Sequence, residues 1–271
     1  MTTRLPSIFI SHGAPTFALE PGALGPRLTA LGQALPRPAA VLVVSPHWTT
    51  SALRVGTSDQ PETIHDFGGF GAALHAISYP VAGHPGLAER AVELLQAAGW
   101  PAEADEYRGL DHGAWVPLMH LYPQADVPAF QVSLPARLDA DGAWALGQAL
   151  APLASEGVLI VGSGSLTHNL SEVDFDQGRA ADYAVEFSQW IRSAALSGDG
   201  ERLRHALSLA PHARRAHPTA EHFWPLLVAA GAAQPMQPVT VIDGGVTYAV
   251  LAMDAFVFGA REAPGAAVGP V

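Results

Sequence analysis

Three apolar runs in this chain each stop at a hydroxyl residue and then a histidine, and that recurrence constrains the fold more than any other feature. Ile8-Phe9-Ile10 ends in Ser11-His12-Gly13, and Val41-Leu42-Val43-Val44 ends in Ser45-Pro46-His47-Trp48. The third run, Gly157-Val158-Leu159-Ile160-Val161-Gly162, ends in Ser163-Gly164-Ser165-Leu166-Thr167-His168-Asn169. Short runs that are apolar at every position and rich in β-branched residues read as strands covered on both faces. Amphipathic helical patterns lie between and after them, over 85–99, 143–154 and 180–195. The alternation predicts an α/β fold of three layers, a central mixed, mostly parallel sheet with helices on both faces. The histidines then fall on loops at strand ends, where open α/β sheets place their chemistry.

Composition narrows what that chemistry is. The chain has 271 residues, 49% hydrophobic and only 14% charged, which suits one large domain, expected over 1–262, with a flexible Gly/Ala/Pro tail at 263–271. A formal charge of −11 argues against nucleic acid or an anionic membrane as partner and leaves a small molecule. No basic and hydrophobic signal precedes Ile8 and no apolar stretch approaches the ~20 residues of a membrane helix, so the expected location is cytoplasmic. All fourteen basic side chains are Arg and there is no Cys. Schiff-base and P-loop lysines, cysteine nucleophiles, thiolate metal sites and Fe–S clusters are thereby excluded. Twelve His remain as the chemically versatile residues.

The rest of the chain supplies further candidates. Residues 49–84 read as irregular and carry Thr63-Ile64-His65-Asp66-Phe67-Gly68-Gly69-Phe70. A turn containing Asp111-His112-Gly113 leads into a helical piece, 127–134 reads as a strand, and 200–216 as polar helix. In Pro218-Thr219-Ala220-Glu221-His222, Thr219 as an N-cap would put Glu221 and His222 in a first helical turn, unless the helix begins at Pro225. Closing strands are expected at 239–243 and 248–258 around a Gly244-Gly245 turn. His12, His47 and His168 at one sheet edge, with His222 completing the set, can converge on a divalent ion. Three protein ligands suffice for a catalytic metal and the fourth histidine is then an acid or base; spacing alone leaves open which one stands aside.

The motifs around His12, His47, His65, His112, His168 and His222, taken in order, resemble the 4,5-DOPA dioxygenase group of class III extradiol ring-cleaving dioxygenases, from about residue 7 to 258. The resemblance implies a non-haem metal site with Fe(II) for activity, in which Zn(II) can also sit, and a small catecholic substrate cleaved with O2. It matches His12, His47 and His222 to metal ligands, with Glu221 as the fallback for the third. It matches His168 to an acid/base or an additional ligand. His112 then supports His168 beside the substrate, and His65, Asp66, Gly68 and Gly69 line the pocket. A zinc-dependent hydrolase using the same histidines and a non-catalytic metal-binding or interaction protein on the same fold are the alternatives.

Overall fold

The computed structural model describes residues 4–176, 179–235 and 237–259. Ten strands occur among them: β1 Ser7–Ser11, β2 Ala40–Thr50, β3 Leu53–Gly56, β4 Ala102–Asp105, β5 Ala129–Pro135, β6 Val158–Gly164, β7 Val239–Ile242, β8 Val246–Thr247, β9 Leu251–Ala252 and β10 Ala255–Phe258. Eight of them form one sheet in the order β4-β3-β5-β2-β6-β1-β10-β7. The centre, β5-β2-β6-β1, is parallel, and β3 against β5 and β10 against both β1 and β7 are antiparallel. The mixed, mostly parallel sheet read from the sequence is therefore the sheet observed.

Side-chain alternation along β6 shows why helices cover both faces. A Cβ at Gly162 would lie 1.9 Å from the carbonyl oxygen of Pro225, so the helix Trp224–Ala232 presses directly on that face. Ser163, pointing the other way, donates its hydroxyl to the Gly113 carbonyl of the helix His112–Leu121. Successive strand residues face opposite layers, and here the two layers are named by their contacts. The Trp224–Ala232 helix is buried at every position from Pro225 onward, as suits a helix held between the sheet and the helix Ala140–Leu150. The helix His112–Leu121 packs on β2 and against the helix Leu24–Ala34.

Several local expectations are corrected. His47 is not on a loop: β2 runs on through Ser45-Pro46-His47-Trp48 to Thr50, with its register against β5 shifting between Val44 and Thr49. Pro46 has no N–H to give a ladder, and a register break is where a strand tolerates it. The segment 49–84 contains β3 and a short helix, Ala72–His75. Thr219 caps no helix; Phe223 is the N-cap of Trp224–Ala232, and Pro225 lies in its first turn, where a missing N–H costs nothing. The expected strand 248–258 is two strands, β9 and β10, and the former pairs with β8 in a small hairpin. The expected tail at 263–271 lies outside the described residues. Among the described residues no helix is long and apolar enough to cross a membrane.

Candidate active site

His12, His47 and His222 come together, each offering a ring nitrogen within 4.8 Å of the others. They arrive from three elements. His12 follows β1, its backbone N–H bonded to the Gly164 carbonyl at the end of β6; His47 projects from β2; His222 lies in the turn before the helix Trp224–Ala232. His12 and His222 are buried and His47 is partly so, its side chain 22% exposed.

The hydrogen bonds behind the His12 and His222 rings fix which of their nitrogens faces inward. Pro117 interrupts the helix His112–Leu121 and has no N–H for the Gly113 carbonyl four residues earlier. That carbonyl takes the Ser163 hydroxyl proton instead. Ser163 Oγ is then left as an acceptor for His12 Nδ1, 3.0 Å away, so His12 carries its proton on Nδ1 and presents the Nε2 lone pair. His222 Nδ1 lies 3.1 Å from Glu221 Oε1, which likewise only accepts. His47 Nδ1 faces Asp66 Oδ2 at 3.5 Å. His12 Nε2 and His47 Nε2 approach to 3.2 Å, and the His12 proton lies on the far side of its ring. Two imidazole nitrogens sharing one ion at ~2.1 Å and about 100° lie that far apart. The donor set fits a divalent metal, and the backing oxygens are the partners that metal-bound histidines use.

Electrostatics point the same way. Burial, then the neighbouring histidines His47, His222, His112 and His168, hold His12 well below the ordinary histidine value. His222 is lowered well below that value by burial first and by His168, His47, His217 and His112 next. His47 comes down to about 4, burial and His112 outweighing the opposing pull of Asp111 and Asp66. Neutral imidazoles with free lone pairs are what a cation needs.

The other expected residues surround this group. His168 stacks on His222, ring centroids 3.5 Å apart. Burial lowers its pKa, partly offset by Glu221. Glu221 holds the far nitrogen of His222 and is itself fixed by the Thr219 hydroxyl; it forms a second group with His168 and His222 rather than joining His12 and His47. His112, the first residue of its helix, sits with its ring 4.0 Å from that of His47. Asp66 Oδ1 accepts both the His112 backbone N–H and its Nδ1–H, at 2.9 and 3.0 Å. His65 donates through Nε2 to the Ile77 carbonyl and contacts Phe67, whose ring meets the edge of His112. Gly68 and Gly69 are exposed with open space where a Cβ would stand, and Gly69 has φ +79°.

In the sequence Ser163 reads only as a hydroxyl closing an apolar run, with no role at the site. A hydroxyl between two glycines in an otherwise apolar strand has to find a buried partner, and that was the available signal. The role of Glu221 behind His222 had no signal in sequence, since adjacent residues rarely act on each other's rings.

Comparisons with known proteins find the following likenesses. The family described as the catalytic LigB subunit of aromatic ring-opening dioxygenase matches residues 23–258. A Beta vulgaris protein named 4,5-DOPA dioxygenase extradiol is 41% identical over 248 residues, 89% of this chain and 92% of that one. An Escherichia coli K12 protein of the same name is 39% identical over 258 residues, 93% and 94% of the two chains. The crystal structure of an uncharacterized Escherichia coli K12 protein superposes with a TM-score of 0.80 at 31% identity, covering 94% of this chain and all of that one.

Proposed function

The chain belongs to the family of the catalytic LigB subunit of aromatic ring-opening dioxygenase, an extradiol dioxygenase with a small aromatic substrate and O2, and we propose that it uses Fe(II) to open a DOPA-like catechol beside its hydroxyl pair. The observation that carries this reading is the convergence of His12 Nε2 and His47 Nε2 to 3.2 Å with His222 alongside. Its support for substrate class is the name borne by the two relatives.

His12, His47 and His222 would hold the ion, and Glu221 would orient His222 from behind through its Nδ1. When bound, Fe(II) supplies a redox-active Lewis acid at which catechol and dioxygen meet. Because the three ligands are neutral, they leave the site cationic, which favours an ionised catechol. His168 is neutral near pH 7, since burial lowers its pKa, and it takes the hydroxyl proton and later returns one. His112 offers Nε2 to a substrate oxygen on the His47 side, its Nδ1 being engaged by Asp66. The Phe67 ring and the open backbone at Gly68 and Gly69, with His65 behind, form the wall against the aromatic ring.

The test is a matrix of metals and substrates. Chain loaded anaerobically with Fe(II) should consume oxygen with a panel of catechols and give a yellow semialdehyde-type product, whereas Zn(II)-loaded chain should not. Inactivity of the Fe(II) form across the panel, together with ester or amide cleavage by the Zn(II) form, would replace this reading with a zinc hydrolase.

A further inference from the structure

Asp66 makes an arrangement that neither ring cleavage nor metal binding as such requires of it. One carboxylate faces two histidines of the site. Oδ1 takes two bonds from His112, one from the backbone N–H and one from the ring. Oδ2 faces the Nδ1 of His47 at 3.5 Å, an ion-pair distance that is long for a hydrogen bond, so there it acts as a charge. Asp111 is the N-cap of the helix that begins at His112 but makes no side-chain capping bond, so Asp66 receives the helix's first N–H from outside the helix.

We propose that Asp66 is a positioning residue whose two oxygens hold His47 and His112 together as Nδ1–H tautomers, fixing a metal ligand and a substrate-side histidine with one side chain. The proposal rests on the reading that His47 is a ligand. Its chemistry is that of a partner behind a metal-bound imidazole: it sets which nitrogen carries the lone pair and how the ring is turned. It also ties the loop carrying Asp66 to the helix start at His112, so the two rings, 4.0 Å apart, cannot be set independently.

Asp66→Asn separates the two arms. The amide oxygen can keep both bonds from His112, and the amide NH2 then faces the Nδ1–H of His47, donor against donor. The first measurement uses the wild-type, metal-free chain: imidazole ¹⁵N chemical shifts and two-bond couplings should report both His47 and His112 as Nδ1–H. In Asp66→Asn, His112 should keep that tautomer and His47 should lose it. Competition with a chromophoric chelator should show Zn(II) affinity falling by about 10–100-fold in Asp66→Asn, and at least as far in Asp66→Ala. Wild-type His47 found mainly as Nε2–H overturns the proposal, as does a folded Asp66→Asn chain with wild-type Zn(II) affinity. Neither readout uses catechol or oxygen. An inert Fe(II) enzyme would therefore sink the ring-cleavage reading alone, and unchanged Zn(II) affinity beside normal cleavage would sink this one alone.

Discussion

His168 lies flat on His222, the ring centroids 3.5 Å apart and the planes 9° from parallel. If His222 is a metal ligand, a ring stacked on it would lie beside the ion without sharing the ligand's direction, which suits proton transfer better than coordination. Replacing His168 with Ala should leave Zn(II) affinity within about threefold and lower kcat by about 10²–10⁴, the usual contribution of a general acid–base. Chelator competition and steady-state oxygen uptake measure the two quantities. Loss of metal in step with activity would make His168 a ligand, and retention of both would remove it from the mechanism.

The Ser163 hydroxyl makes a testable link between helix and metal. It gives its proton to Gly113, whose carbonyl lacks a helical partner because of Pro117, and receives His12 Nδ1–H. Ser163→Ala removes the acceptor while leaving the strand intact, and should weaken Zn(II) binding by about 10–100-fold. Unchanged affinity would mean that packing alone orients His12.

His217 gives a stability prediction separate from catalysis. It is buried, bonded to the Leu166 carbonyl, and lowered to about 4 mainly by burial, from an ordinary value of 6.5. Between those two values the unfolded chain binds a proton that the folded chain does not, so stability falls as pH drops from 6.5 to 4. Urea unfolding of the metal-free chain at a series of pH values should show that loss, and His217→Gln should reduce it by up to about 3 kcal/mol. A variant as acid-sensitive as the parent would contradict the assignment.

Metal removal should cost stability in a concentration-dependent way. His12 Nε2 and His47 Nε2 already lie 3.2 Å apart, and an ion that binds only the folded chain stabilises it by about 2.7 kcal/mol at one hundred times its Kd. Thermal unfolding after chelation, and again with graded Zn(II), should show the midpoint falling and then rising. A midpoint indifferent to metal would contradict a preformed site.

How far the sequence carried can be judged residue by residue. The apolar runs 8–10, 41–44 and 157–162 are legible because strands covered on both faces read as near-continuous apolar runs rather than alternating ones. The edge strand β4 reads Ala-Glu-Ala-Asp, half exposed and without an apolar run, and nothing local marks it. His12, His47, His168 and His222 stand out because histidine is scarce among apolar segments, and their motifs occur in family order. The turns of the rings are not legible in sequence, since Ser163 meets His12 across 151 positions and Asp66 meets His112 across 46, and adjacency does not tell that Glu221 lies behind His222. The end of β2 was misjudged at Pro46 because a proline inside a strand is rare unless register breaks there, and register is a property of the partner strand.

The central claim is that the His12, His47 and His222 site cleaves an aromatic ring with molecular oxygen. Mass spectrometry of the product formed by Fe(II)-loaded chain from a catechol under ¹⁸O2 tests it most directly. Both labelled atoms should appear in a ring-opened product whose broken carbon–carbon bond lies beside the hydroxyl pair. A product with an intact ring, or with oxygen drawn only from water, would contradict it.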